Sequence, residues 1–200
     1  MRILSLLLLL APTTALADVP VLPELFSVTG VTAKDVLNIR LEPRASAPII
    51  GSVAPDTKDI EVVEFSEGGD WAWINGGESG GWVSRRFLQM QPSIWKTGAL
   101  PASLSCVGTE PFWSITFAEG KATLDTPDGE PKSYQIEHIN DRGFAEDRMR
   151  AVQAGALTAV IVPQQCSDGM SDRSYALQAI ISLREADRPM LAGRCSITPR

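Results

Sequence analysis

Turn-forming residues punctuate this chain at intervals of roughly eight to twelve positions, which limits how long any regular element can be. The runs between the turns are short and rich in β-branched and aromatic residues, as in VLNIRL, DIEVVEF, FWSITFA and LTAVIV. Short strands at this spacing are typical of all-β sandwiches and barrels. We therefore predict an all-β protein of small antiparallel barrels. One segment, 144–153, is compatible with either a short helix or a polar loop that leads into a strand.

The N-terminus has the pattern of an export signal. Arg2 is followed by a short apolar run, Ile3 to Ala11, and then by Ala15-Leu16-Ala17. A basic start, a short apolar stretch and a small-x-small site are the signature of a secretory signal peptide. The apolar run is also shorter than the ~20 residues that a membrane-spanning helix needs. We predict a signal peptide at residues 1–17, cleavage after Ala17, and a periplasmic or secreted protein that does not span the membrane.

The charge balance narrows the class of partner. The full chain has a formal net charge of −6. Removal of residues 1–17 takes away one positive charge, that of Arg2, and leaves about −7. An acidic chain without a basic run argues against nucleic acid and against anionic lipid surfaces as partners.

Residues 90–100, MQPSIWKTGAL, interrupt the strand pattern, and all three cysteines lie after them. We interpret residues 18–89 as one domain, 90–100 as a linker and 101–200 as a second, β-barrel domain. Trp95 lies in the linker, and we expect it to dock on one of the domains because leaving an indole in water is costly.

The first domain shows a fixed order of strand and turn signals. LNIR is followed by a proline, then by IIG, WAW, GWV and FL, all within residues 27–89. This order resembles the bacterial SH3-like domain, a small and strongly bent β-barrel whose members are commonly exported. The resemblance implies a targeting module that binds peptidoglycan or its peptide stems, or another protein of the envelope.

Four residues of this domain are candidate ligand-binding residues: Asn38, Arg40, Trp71 and Trp73. Aromatic side chains offer a large contact area at low entropic cost, and the polar pair adds hydrogen bonds. Trp71 and Trp73 share a face of one strand, and core packing is the alternative for one of them. We expect Trp82 to fill the core. Arg40 could instead only pair with a neighbouring carboxylate, which would contribute little.

The second domain contains three distinctive motifs: CVGTEPFW at residues 106–113, CSDGMSD at 166–172 and LAGRC at 191–195. Together they resemble an uncharacterised family of bacterial envelope domains. The resemblance implies a small antiparallel β-barrel and carries no established activity.

Three cysteines, Cys106, Cys166 and Cys195, allow one disulfide bond in an exported protein. Loop-closure entropy does not choose between the pairings, because Cys106–Cys195 and Cys166–Cys195 differ by only about 1 kcal/mol. Many members of the resembled family end in Gly-Cys-Cys, whereas this chain has Gly193-Arg194-Cys195. Carried over residue by residue, the resemblance then implies a Cys106–Cys195 bond and a free Cys166.

Two motifs of the second domain supply further candidate ligand-binding residues, Glu110, Trp113 and Asp168. In CSDGMSD, Asp-Gly favours a tight turn in which Asp168 caps the backbone, and we expect Met170 to tuck beneath the loop. Calcium is the weaker interpretation, because the EF-hand pattern is absent. In GTEPFW, Phe112 and Trp113 alternate onto opposite faces, so that one enters the core and the other can line a pocket beside Glu110.

Catalytic signatures are not found in the sequence. Cys166 and His138 are the available nucleophile and base, and a single histidine cannot build a zinc site of two or three histidines. There is also no G-x-S-x-G elbow and no glycine-rich phosphate loop. We therefore predict a non-enzymatic protein without a metal or another cofactor. The alternative function is an inhibitor or small-ligand carrier built on the second barrel, by analogy with lysozyme inhibitors.

Overall fold

The computed structural model describes residues 20–184 and 190–198. Within this part, the regular elements are β-strands and one short 3-10 turn, which confirms the all-β prediction. The predicted signal peptide at residues 1–17 lies outside the described residues. No helix in the described ranges is long and apolar enough to cross a membrane.

Seven strands form a first antiparallel sheet around its own apolar core. They are β1 (Glu24–Val28), β2 (Leu37–Arg40), β3 (Ile49–Val53), β4 (Ile60–Phe65), β5 (Trp71–Gly76), β6 (Ser79–Ser84) and β7 (Leu88–Met90). The 3-10 turn, Arg85–Phe87, leads from β6 to β7. The strand order is β3-β2-β6-β5-β4-β1-β7. The buried core side chains come from five of these strands and include Phe26, Leu37, Val62, Ile74 and Val83.

Nine strands form the second antiparallel sheet. They are β8 (Ser105–Thr109), β9 (Phe112–Ala118), β10 (Lys121–Asp125), β11 (Lys132–Gln135), β12 (His138–Asn140), β13 (Arg150–Ala154), β14 (Leu157–Ser167), β15 (Ser174–Leu183) and β16 (Leu191–Ser196). Their order is β11-β10-β9-β8-β16-β15-β14-β13-β12, so that the last strand lies between β8 and β15. Residues 144–153 form a loop that leads into β13, not a helix.

The second sheet curls back on itself. Its two edge strands, β11 and β12, are consecutive in the chain and are joined by Ile136 and Glu137. Ile136 N–H donates to the carbonyl oxygen of Gly120 and Glu137 N–H donates to that of Gln153, both at 2.8 Å. This two-residue segment therefore links the two edge strands of the sheet. The inside is packed with buried apolar side chains, among them Ile115, Leu157, Ile161, Leu177 and Ile181.

A disulfide bond ties the first strand of this sheet to its last strand. Cys106 on β8 lies directly opposite Cys195 on β16, and the two sulfur atoms are bonded. Cys166 is free. This confirms the pairing that the family resemblance implied. The bond closes a loop of about ninety residues. By restricting the unfolded chain, it should stabilise the folded protein by on the order of 4.6 kcal/mol.

The segment predicted as a linker, 90–100, is packed against both sheets. Trp95 is 3% exposed and lies in the core of the second sheet, together with Leu25 from β1. Its Nε1–H donates to the carbonyl oxygen of Pro23 at 3.0 Å. Arg150 of β13 lies over the Trp95 ring, 5.2 Å from its centroid, and donates to two carbonyl oxygens of the segment at 2.8 and 3.0 Å. Trp95 is thus docked as expected, and the domain boundaries themselves stay a prediction.

Two buried glutamates of the first sheet reach the second. The Glu24 carboxylate on β1 accepts a hydrogen bond from the guanidinium of Arg148, and both side chains are nearly inaccessible to solvent. Glu61 on β4 accepts the hydroxyl hydrogen of Ser196 and, at 3.2 Å, the N–H of Ile197. Burial raises the pKa of Glu61 to about 7, against the opposing effect of these two hydrogen bonds.

Candidate functional site

A groove of about 500 Å³ crosses the first sheet, and we call it the SH3-domain groove. It lies between the loop that precedes β2, the start of β5 and the 3-10 turn after β6. Three of the four predicted binding residues of this domain line it, namely Asn38, Arg40 and Trp71. Trp71 is half-buried, so part of its indole is available to a ligand. The guanidinium of Arg40 is held in place by a 2.7 Å hydrogen bond to the carbonyl oxygen of Ala47.

The groove combines aromatic surface with hydrogen-bond donors. Arg86 adds a second guanidinium to that of Arg40 and stacks on Phe87, 4.5 Å from the ring centroid. One carboxylate, that of Asp35, also lines the groove. Guanidinium groups bind carboxylate and carbonyl oxygens well, and aromatic walls suit the apolar parts of a ligand. This arrangement suits a peptide-like ligand with exposed carbonyl or carboxylate groups.

The fourth predicted residue, Trp73, does not line the groove. It packs edge-to-face against Trp82 with 5.4 Å between ring centroids, and its Nε1–H points to Asn75 Oδ1 at 3.4 Å. The prediction that Trp82 fills the core was wrong, because Trp82 is only half-buried. Strand alternation explains this: Ala72 and Val83 occupy the core face, so their tryptophan neighbours lie on the outer face.

A second cavity, of about 520 Å³, lies on the second sheet, and we call it the outer cleft. Its floor is a cross-strand row in which Arg194, Val107, Ser114 and Asp125 lie opposite one another on β16, β8, β9 and β10. Successive side chains of a strand point to opposite faces. Because the neighbouring Ile115 is in the core, this row lies on the outer face of the sheet. The inside of the sheet is the packed core described above, so this cavity is outside it.

The CSDGMSD loop covers one end of the outer cleft. Asp168 Oδ1 accepts the N–H groups of Met170 and Ser171 at 3.0 and 2.7 Å, and Gly169 has φ +67. This confirms the predicted aspartate-capped turn. The Met170 prediction was wrong: its side chain is 70% exposed, because the turn places it at the loop tip.

Asp168 also fixes Arg194 at this end of the cleft. Asp168 Oδ2 lies 3.6 Å from Arg194 Nη2, and both side chains are about nine-tenths buried. Burial alone would raise the pKa of Asp168, but the hydrogen bonds from Met170 and Ser171 and the charge of Arg194 outweigh it, and the pKa is lowered. The carboxylate is therefore held ionised next to the guanidinium.

Trp113 connects the outer cleft to the core. It is 4% exposed and its ring crosses two glycines: a Cβ on Gly108 would lie 1.9 Å from its Nε1, and one on Gly193 would lie 2.6 Å from its Cζ2. The predicted alternation is confirmed, since Phe112 is 55% exposed at the rim. Trp113 and Asp168 both line the outer cleft. Glu110 is exposed in the turn between β8 and β9 and does not line this cavity.

Sequence reasoning missed three charged residues of the outer cleft: Arg194, Asp125 and Glu78. Arg194 could have been found, because it directly precedes Cys195, and a core-facing cysteine places its neighbour on the outer face. Asp125 becomes recognisable only through the register of β9 and β10. Glu78 comes from the β5–β6 hairpin of the first sheet, and its position depends on how the two sheets pack.

The structure separates Cys166 from His138. His138 lies opposite Gln153, which lies opposite Thr158 on β14. Cys166 is about eight residues further along that strand, a distance of ~26 Å. Burial raises the pKa of the Cys166 thiol, and the charge of Arg194 only partly opposes this. The two residues do not form a nucleophile–base pair.

Comparison with known proteins characterises the first sheet. Residues 35–89 match the family model of the bacterial SH3 domain, which lies within the range that the sequence motifs indicated. Cell-wall or protein binding is thus a possible role for this module. No curated protein and no solved structure matches the chain significantly. The resemblance of the second domain to an envelope family stays a prediction.

Proposed function

We propose that this chain is an exported, non-catalytic protein of the bacterial envelope, and that its SH3 domain binds a cell-wall peptide or a peptide of a partner protein. The binding site is the SH3-domain groove. The observation that carries the proposal is the convergence of Asn38, Arg40 and Trp71 on one groove, within the residues that match the bacterial SH3 domain.

The chemistry of the groove favours a peptide over a purely apolar ligand. A half-buried indole provides a flat contact surface for a side chain or for a peptide plane, and such aromatic anchors dominate many interfaces. Arg40 and Asn38 stand beside it as donors to carbonyl oxygens. Since Arg40 is already bonded to Ala47, its guanidinium is ordered before the ligand arrives, which lowers the entropic cost of binding.

Export and the absence of catalysis have separate support. A structural disulfide bond is compatible with an extracytoplasmic protein, because such bonds persist in oxidising compartments. The N-terminal sequence pattern favours a cleaved signal peptide. The distance between Cys166 and His138, with the raised thiol pKa, argues against a cysteine nucleophile.

The test is sedimentation of the mature protein with purified peptidoglycan, with Trp71→Ala compared to Trp73→Ala. Trp71 lines the groove and Trp73 does not, so the two variants form a matched pair on the same face of one strand. Loss of one aromatic anchor costs about 2 kcal/mol, so Trp71→Ala should bind roughly thirty-fold more weakly. Trp73→Ala should bind like the wild type, once circular dichroism has confirmed that it is folded.

Equal loss in both variants, or loss in Trp73→Ala alone, would show that the groove is not the binding site. If the wild type does not sediment with peptidoglycan, the cell-wall form of the proposal is wrong. The partner-protein form would then be tested by affinity capture from envelope extracts, with Trp71→Ala as the control bait. A partner captured equally by both baits would contradict that form as well.

A further inference from the structure

Arg40 of the SH3-domain groove is a half-buried cation without a carboxylate partner. Glu42, the acidic residue nearest to it in the sequence, is held by Arg44 instead, at 2.9 and 3.0 Å. Within residues 20–184 and 190–198, Arg40 forms no ion pair. Charged groups that are withdrawn from water are usually paired. An unpaired guanidinium in a groove therefore points to a ligand that supplies the negative charge.

One hydrogen bond fixes the orientation of this guanidinium. Arg40 Nη1 donates to the carbonyl oxygen of Ala47 at 2.7 Å, whereas Nε and Nη2 have no acceptor in the described part of the chain. The edge formed by Nε and Nη2 is one of those through which a guanidinium binds both oxygens of a carboxylate. Since the bond to Ala47 orders the group beforehand, less entropy is lost when a carboxylate binds.

The other end of the groove has a balanced charge. Strands β2 and β6 are antiparallel, so Asp35, before β2, and Arg86, after β6, both lie at the end away from Arg40. Their opposite charges offset each other there, and Arg86 stacks on Phe87. The end at Arg40 keeps an unbalanced positive charge. An anionic group of a ligand is therefore favoured at Arg40.

Strand register gives the distance between Arg40 and the aromatic anchor, Trp71. Arg40 on β2 lies opposite Trp82 on β6. Ser84, two residues further along β6, lies opposite Trp71 on β5. Two residues along a strand and two strand spacings across it place the two backbones about 12 Å apart. An extended peptide covers this distance with roughly three to four residues, so one ligand can contact both side chains.

We propose that the SH3-domain groove recognises a carboxylate group of its peptide ligand, and that Arg40 binds this group through its Nε–Nη2 edge. The carboxylate lies about three residues from the part of the ligand that contacts Trp71. It comes from a peptide C-terminus or from an acidic side chain. This inference rests on the function proposed for the groove and adds the chemical class of the ligand.

The test is a nuclear magnetic resonance titration of the labelled mature protein with three peptides. They are acetyl-Leu-Ala-Ala-Ala with a free C-terminal carboxylate, the same peptide as its C-terminal amide, and amidated acetyl-Leu-Ala-Ala-Glu. We expect at least one carboxylate peptide to bind about five-fold more tightly than the neutral amide, and this preference to weaken as salt is raised. The Arg40 Nε–H signal should shift only with a carboxylate peptide. The tighter of the two carboxylate peptides identifies the source of the group.

Variants locate the carboxylate site. Arg40→Gln should lose the preference for a carboxylate, while the Trp71 indole signal still shifts with all three peptides. Arg86→Gln is the matched control, because it removes the other guanidinium that lines the groove, and it should keep the preference. A preference that survives in Arg40→Gln and disappears in Arg86→Gln would contradict the assignment.

The peptide series separates this inference from the function on which it rests. Equal binding of all three peptides by the wild type, with the Trp71 indole shifted by each, would overturn carboxylate recognition and leave the groove as a peptide site. If none of the peptides shifts the Trp71 indole at millimolar concentration, carboxylate recognition is overturned as well. Sedimentation with peptidoglycan then decides the proposed function independently.

Discussion

At the scale of single residues, Glu61 makes the contact between the two sheets sensitive to pH. Its carboxyl group is buried at the end of β16, and burial raises its pKa from 4.5 to about 7, opposed by the hydrogen bonds from Ser196 and Ile197. A raised pKa in the folded protein means that folding favours the protonated form. The contribution of Glu61 to the stability of the folded protein is therefore fully present below pH ~4.5 and is lost as pH rises through ~7.

We predict that Glu61→Gln removes this pH dependence. Glutamine resembles the protonated carboxyl group, so the variant should be more stable than the wild type at pH 8 and about equally stable at pH 4.5. The difference between the pKa of Glu61 in the folded and in the unfolded protein corresponds to roughly 3 kcal/mol in the free energy of unfolding. Urea unfolding at the two pH values measures it. Glu64→Gln, on the same strand, is the control and should retain the wild-type dependence. A Glu61→Gln variant that also retained it would contradict the assignment.

At the scale of elements, the segment 90–100 acts as part of the core and not as a free tether. Trp95 is buried with Leu25 and lies beneath Arg148 and Arg150, whose guanidinium groups are 5.3 and 5.2 Å from its ring centroid. The sequence indicated that this tryptophan docks. The sequence did not indicate that Leu25 of β1 packs beside Trp95, because this contact depends on how the two sheets are arranged relative to each other.

We predict that Trp95→Ala destabilises both sheets together. Removal of a buried indole from a packed core costs about 3–5 kcal/mol, and here it also removes the hydrogen bond to Pro23. Thermal unfolding followed by tryptophan fluorescence and by circular dichroism should shift to a lower temperature in one common transition. Trp82→Ala, at a half-buried position, should cost less. Two separate transitions in the wild type would show that the segment does not couple the sheets.

At the scale of the whole molecule, local patterns predicted much of the fold. Alternation and turn residues predicted the all-β class and the aspartate-capped CSDGMSD turn, and the SH3-like module was predicted from a family resemblance. Family resemblance supplied the Cys106–Cys195 bond. Strand register brought Arg194, Val107, Ser114 and Asp125 into one row, and register is set by partners far away in the sequence. Because register depends on these distant partners, the outer cleft could not be predicted from local patterns. The prediction for Trp82 was wrong because it assigned this side chain to the core face of β6, whereas it lies on the outer face.

The proposed function requires that the SH3-domain groove binds a cell-wall peptide. The most direct measurement is a nuclear magnetic resonance titration of the isotope-labelled mature protein with soluble peptidoglycan fragments. We expect the signals of Asn38, Arg40 and the Trp71 indole to shift together with one affinity, while the Trp73 indole signal stays in place. Shifts confined to residues outside the groove, with the Trp71 indole unmoved at saturation, would contradict it.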